Sequence, residues 1–213
     1  MSSRSWTAAL PGLYDACMAP LERTLLRRWR GRLWEGVPRD GVGLEIGAGS
    51  GANHAWHAAR HGLLLSDLQP AMLRRYPRAA EAQRGALRPP PRVAADVGAL
   101  PLPDGSLDWA VATLVFCEVG DPLASLREVR RALRPNGTLH LLEHVRPHGL
   151  AGRAAAALTR LTGPLLGEHF DRRTHELLGP AGFEVTALDR TLHGALVLLR
   201  ASVRIDPSQE TAA

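Results

Sequence analysis

Lysine is absent from the chain: all 26 basic side chains are arginine. Without a side-chain amine the protein cannot form a Schiff base of its own, nor run the Tyr–Lys proton relay common among small reductases. Cysteine is nearly absent too. Cys17 and Cys117 are a hundred positions apart and form no C-x-x-C pair. Reduced thiols in a reducing compartment are the simplest account, so a cytoplasmic location is the expectation. No apolar run is long enough to cross a bilayer. The opening MSSRSWTAALPG has neither the basic start nor the continuous apolar stretch of a secretory signal. Aromatics are sparse, and five of the ten are Trp.

What is present fits one cored domain. A chain of 213 residues is too short for two domains of ordinary size. Its 45% hydrophobic and 22% charged residues are ordinary globular composition. The net charge of +5 raises the question of nucleic acid. However, the arginines are spread out, with their densest groups at 23–32 and 74–92, and no recognised DNA or RNA module accompanies them. A solvated basic surface is the expectation, and nucleic acid is not an expected partner.

Periodicity organises the chain. Residues 10–35 read as a helix, with Met18, Leu21, Leu25, Trp29 and Leu33 on one stripe and Arg23, Arg27, Arg28, Arg30 and Arg32 around the rest. From residue 42 strands and helices alternate. Strands are expected at Val42–Ile46, Leu63–Ser66, Val93–Ala95, Leu107–Phe116 and Thr138–Val145. Helices are expected at about 52–60, from Pro70, and over Asp121–Leu133. The stretch 84–91 is a loop, because three consecutive prolines supply no ladder donors. Arg134–Gly137 reads as a turn, since Asn and Gly tolerate positive φ. Helices at 151–163 and 171–179 precede Phe183–Leu188 and Leu196–Val203, which pair antiparallel. The fold class expected is α/β: a Rossmann-like, open, mostly parallel seven-stranded sheet with helices on both faces and a C-terminal antiparallel hairpin. One domain spans 1–205, its N-terminal helix (10–35) acting as a lid, and 206–213 is a disordered tail.

In such a sheet, ligands lie at the carboxyl ends of the strands. The first strand ends in Glu45-Ile46-Gly47-Ala48-Gly49-Ser50-Gly51-Ala52-Asn53, where glycines let the backbone turn and approach a ligand closely. This turn also fits G-x-G-x-x-A, so a nicotinamide cofactor is a rival. Asp67, ending the second strand, can accept bonds from vicinal ribose hydroxyls; that supports an adenosine nucleoside without choosing which. Asp96 and Val97 after the third strand can hold an adenine edge. Glu45 suits a ligand with an ammonium and a sulfonium and would repel a pyrophosphate. The balance therefore tilts toward S-adenosylmethionine.

Four segments in order and spacing resemble the motifs of class I adenosylmethionine-dependent methyltransferases: LEIGAGSGAN, SDLQPAML, ADVGALPLPDGSLDWAVATLVFCEV and LREVRRALRPNGTLHLLEHV. Within that superfamily, LEHV and the later GEHFDRRT are most similar to the thiol methyltransferases and the bacterial phospholipid- and quinone-methylating enzymes. The resemblance implies that Glu45, Gly47, Gly49 and Gly51 surround the methionine end, with Ala48 and Asn53 also expected to bind the cofactor. It implies that Asp67 holds the ribose, Leu68 and Met72 flank the adenine, Asp96 and Val97 read its edge, and Thr113 lies under the cofactor. The acceptor would be a small, lipophilic thiol, phospholipid amine, or quinone or phenol.

Methyl transfer needs a general base only if the nucleophile must lose a proton. Glu143 and His144 are the best-placed polar pair, with His144 the candidate catalytic residue; His169, Asp171 and Cys117 are weaker candidates. His54, His57 and His61 share a helical spacing that can hold a metal, but nothing nearby completes the set, so a surface histidine face and no metal are expected. The arginine-rich N-terminal helix has a second use: peripheral contact with an anionic membrane, Trp29 and Trp34 at the boundary. An NAD(P)-dependent reductase and a non-catalytic adenosylmethionine-binding protein are the alternative functions.

Overall fold

The computed structural model describes residues 26–76, 90–145, 173–191 and 195–204. The expected helix over 151–163, most of the 84–91 loop, the first part of the N-terminal helix and the tail lie outside the described residues, as do His169 and Asp171.

The first described helix, α1 (Arg27–Gly36), buries Trp29, Leu33 and Trp34. Their spacing puts them on one side of a 3.6-residue turn. The sheet then builds outward from β1 (Gly43–Ile46) to β2 (Leu63–Asp67) and β3 (Arg92–Ala94), with α2 (Pro70–Arg75) between the last two. The chain returns to lay β4 (Leu107–Thr113) on the other side of β1, then adds α3 (Pro122–Ala132), β5 (Leu133–His144), β6 (Phe183–Thr191) and β7 (Leu196–Val203). The strand order is β3-β2-β1-β4-β5-β7-β6. β1 to β5 run parallel to one another, whereas β7 runs antiparallel to both β5 and β6. The order reverses beside β1, so the crevice between the ends of β1 and β4 is the switch point at which open α/β sheets hold ligands.

Each sheet face has its own core. Leu44, Ile46, Ala110, Ala112, Leu139 and Leu141 meet Leu126, Val129 and Ala132 of α3. On the opposite face Leu63, Leu65, Trp109, Val111 and Leu142 meet Trp29, Leu33 and Trp34 of α1. α3 begins where Asp121 accepts the Ala124 N–H at 3.0 Å, with Pro122 at the first helical position.

Several boundaries differ from the periodicity. The helix expected at 52–60 is a 3₁₀ segment, His54–Ala59, and that at 171–179 is a shorter one, Thr174–Leu177. β4 stops at Thr113 rather than Phe116, because Leu114 takes a positive φ of 58° and turns the chain. Arg134–Gly137 is a bulge inside β5, not a turn before it. Leu107 pairs Leu133 and Trp109 pairs Thr138, so the extra residues loop out, with Asn136 at φ 64°.

The amphipathic reading of the N-terminal helix needs two corrections. Trp29 and Trp34 are buried in the core, so neither can stand at a membrane boundary. Arg30, read as one of the solvated arginines, is only 5% exposed.

Candidate functional site

Glycines 47, 49 and 51 all take positive φ, turning the chain off β1 above the switch point. Gly47 also has no room for a side chain: a Cβ there would lie 2.4 Å from Val115 Cγ2, in the loop after β4. The two loops are thus packed on each other through a missing methyl group.

Beneath this turn, alternation along β1 points Glu45 to the α1 face, the same face as Thr113 on β4. The Glu45 carboxylate is 1% exposed and accepts the Asn53 amide at 2.7 Å on Oε1, while Oε2 stands 2.7 Å from His57 Nε2. Asn53 also donates to Thr113 Oγ1 at 3.1 Å. Arg30 descends from α1 to donate to Thr113 Oγ1 at 2.6 Å and to Asn53 Oδ1 at 3.0 Å. Burial alone would raise the Glu45 carboxyl, but His57, Asn53 and Arg30 together outweigh it and hold the pKa below the ordinary value. The result is a buried anion and a buried cation bridged by an amide and a hydroxyl at the mouth of the sheet.

Asp67, at the end of β2, reaches back to the turn. Its Oδ2 accepts the Gly49 N–H at 2.8 Å and its Oδ1 the Gln69 N–H at 2.7 Å. A carboxylate has about four lone-pair sites, so both oxygens keep capacity for hydroxyl donors. Burial raises the Asp67 pKa; the two N–H bonds oppose this and the Glu45 charge adds to it. Leu68 beside it is 60% exposed, an apolar side chain standing open at the strand end. Met72 is buried, packed under Gly49. After β3, Asp96 is exposed and accepts the Gly98 N–H at 2.8 Å, while Val97 is buried.

With that geometry in view, the comparisons with known proteins agree. Residues 44–141 match the family model described as a methyltransferase domain. The chain is 36% identical over 107 residues to thiol S-methyltransferase TMT1B of Homo sapiens, covering 50% of this chain and 44% of that protein. It is 31% identical over 119 residues to the ubiquinone/menaquinone biosynthesis C-methyltransferase UbiE of Hahella chejuensis, covering 56% of this chain and 41% of that one. The chain therefore spans less than half the length of these two curated relatives. Among solved structures, a SAM-dependent methyltransferase from Thermotoga maritima superposes with a TM-score of 0.69 at 20% identity, over 93% of this chain and 98% of that one.

Residues 44–141 therefore carry a methyltransferase domain, similar to those of the class I adenosylmethionine-dependent methyltransferases.

Most site residues read from the sequence fall at or just after the carboxyl ends of β1, β2, β3 and β4, with Met72 in α2 and His144 at the end of β5. Three others were not anticipated: Arg30, His57 and Tyr76. Arg30 was hidden because every residue around the helix other than the apolar stripe was assigned to solvent. His57 was read as part of a surface face with His54 and His61. It is instead 4% exposed and turned inward, whereas His54 bonds the Gly51 carbonyl and His61 is exposed. Among the described residues no three His, Cys, Asp or Glu side chains are arranged to hold a metal ion.

Glu143 and His144 do not act as a pair, because consecutive strand residues point to opposite faces. His144 shares the α1 face with Thr113, and burial lowers its pKa, favouring the neutral ring. Glu143 faces the α3 side, where Oε1 accepts the N–H groups of Val115 and Phe116, both at 3.1 Å. Burial pushes its pKa up to about 7, against the pull of those N–H groups and that of Cys117, with Glu118 adding to the rise. Glu143 thereby clamps the loop that packs on Gly47.

Proposed function

We propose that this domain transfers a methyl group from S-adenosylmethionine to a small lipophilic acceptor of the thiol, phospholipid-amine, or quinone or phenol type. The observation that carries the reading is the buried pair of opposite charges under the glycine turn. The amino-acid end of adenosylmethionine is a zwitterion beside a sulfonium, and Glu45 and Arg30 offer it one partner each. A dinucleotide would instead bring its pyrophosphate toward the ionised Glu45, which disfavours an NAD(P)-dependent reductase. In this reading Asp67 accepts from the ribose, Leu68 and Met72 flank the adenine, and Asp96 and Val97 meet its edge.

Held by the glycine turn, Glu45 and Arg30, the cofactor would supply an electrophilic methyl on a sulfonium, the carbon–sulfur bond breaking as the acceptor lone pair forms the new bond and leaving a thioether. The protein's own residues then do three things. The glycine turn and Glu45 fix the donor, Thr113 and the Val115 loop shape the wall beside it, and α1 excludes water from that face. In this reading His144, whose neutral ring burial favours, takes a proton where the acceptor carries one.

The names of the relatives support an acceptor of this class, since TMT1B methylates a thiol sulfur and UbiE a carbon during quinone biosynthesis. A cytoplasmic setting fits the scarcity of cysteine. Among the described residues of the helix, the exposed Arg27, Arg28 and Arg32 support a peripheral contact with an anionic membrane, and sedimentation with anionic vesicles at low and high salt tests it. The test of function is a product screen with methyl-labelled adenosylmethionine over thiols, phenols, quinones and lipid amines. Label in one acceptor class is the expected result; cofactor binding with no transfer to any class would favour a non-catalytic binding protein.

A further inference from the structure

Glu45 is held by more than its neighbours on the turn. His57 Nδ1 lies 2.5 Å from the Tyr76 hydroxyl, and its Nε2 lies 2.7 Å from Glu45 Oε2. All three side chains are at most 4% exposed. The tyrosine and imidazole rings lie nearly parallel, 5° apart with centroids at 5.7 Å, and the Trp34 ring of α1 meets the imidazole edge-on at 5.2 Å. The Arg92 guanidinium covers the outer face of Tyr76 at 4.5 Å. Three elements therefore meet this imidazole: β1 through Glu45, the end of α2 through Tyr76 and α1 through Trp34, with β3 backing Tyr76 through Arg92.

An ionised carboxylate only accepts, so a hydrogen on Nε2 faces Glu45 Oε2, while the tyrosine hydroxyl can either donate to Nδ1 or accept from it. An apolar trio of the same volume would pack into this core with no desolvation penalty. A buried carboxylate so carefully supported, at the carboxyl end of β1, calls for a use of its charge and its direction.

We propose that Tyr76 and His57 form a positioning relay that fixes the Glu45 carboxylate in the orientation that receives the α-ammonium of the cofactor. This rests on the methyltransferase reading and adds two residues to it. The relay runs from α2, beside the adenosine subsite, to the amino-acid subsite, so it acts on one half of the cofactor only. Neither side chain touches the ligand.

Two ligands separate that half. S-adenosylhomocysteine carries the amino-acid end, whereas 5′-methylthioadenosine has the same adenosine thioether without it. Titration calorimetry of both against the parent, His57→Phe and Tyr76→Phe is the experiment. His57→Phe should weaken adenosylhomocysteine by roughly tenfold or more, and Tyr76→Phe by about threefold, from loss of a charged and a neutral hydrogen bond. Methylthioadenosine should bind all three proteins alike. His57→Gln, whose amide can still donate to Glu45 and accept from Tyr76, should restore most of the affinity. Equal weakening of both ligands would mean that the relay only maintains the fold, and unchanged adenosylhomocysteine binding would remove its role altogether; either overturns the proposal. Tyr76→Phe keeps the ring and its stacking, so it remains informative if His57→Phe does not fold. Binding of neither ligand by the parent would instead defeat the cofactor assignment on which the relay rests.

Discussion

At the scale of single residues, Asp67 and His144 have separable roles. Asp67→Ala removes the proposed ribose acceptor, and affinity for adenosylmethionine should fall by roughly 1.5–3 kcal/mol. The same carboxylate holds the Gly49 and Gln69 N–H groups. Asp67→Asn is therefore a milder companion variant, since its single amide oxygen can keep one of these two N–H bonds. His144→Ala should lower turnover for any acceptor that the parent methylates while leaving cofactor affinity nearly unchanged. Unaltered turnover across the pH range would remove the base role. Such residues were legible in the sequence because strand ends and glycine turns announce themselves locally. Arg30, His57 and Tyr76 were not, because their roles come from what lies across the fold: Arg30 meets Thr113 at a separation of 83 positions. No local periodicity distinguishes an arginine that turns inward from one that stays in water.

Elements position these residues, and two substitutions test how. Trp34 is 1% exposed and stands edge-on to Trp109 and His57, with the Arg60 guanidinium over its ring. Trp34→Ala should cost about 3–5 kcal/mol in urea unfolding. It should also lower cofactor affinity, because α1 carries Arg30. Gly47→Ala meets both a positive φ of 68° and Val115 Cγ2. Pushing the two loops apart should cost about 1–3 kcal/mol in the same measurement. The order of elements was readable throughout, but several of their ends were not. β4 reads as apolar to Phe116, yet the buried Phe116 belongs to the loop that Glu143 clamps. Apolarity records burial, and burial does not require a strand. The Arg134–Gly137 segment carries turn chemistry and does bend, but within β5, because the ladder resumes at Thr138 on the same partner.

For the whole molecule the sheet order follows from alternating β/α units, and its antiparallel end from two runs too close for a crossover. What it buries has a pH signature. His140, 2% exposed on the α1 face, has its pKa lowered to about 4 by burial, with Arg200 and Arg60 adding to the effect. Its contribution is present above the unfolded value of 6.5 and lost as pH falls toward 4. Glu143 has the opposite sign: its contribution is present below 4.5 and lost as pH rises through about 7. Between about pH 4.5 and 6.5 the two slopes cancel. Glu143→Gln should unmask the histidine: relative to the parent, the variant should gain up to about 3 kcal/mol between pH 4.5 and 7. Urea unfolding of both proteins at the two pH values reads that difference, and a constant offset would show that Glu143 does not titrate as described.

The central claim is that the opposite charges under the glycine turn select an amino-acid zwitterion over a pyrophosphate. Competitive calorimetry at neutral pH with adenosylmethionine and NADPH tests it most directly. The account predicts saturable binding of adenosylmethionine, one per chain, that NADPH does not displace, and loss of that binding in Glu45→Gln and Arg30→Met. Tight NADPH binding, with adenosylmethionine unbound or readily displaced, would contradict it.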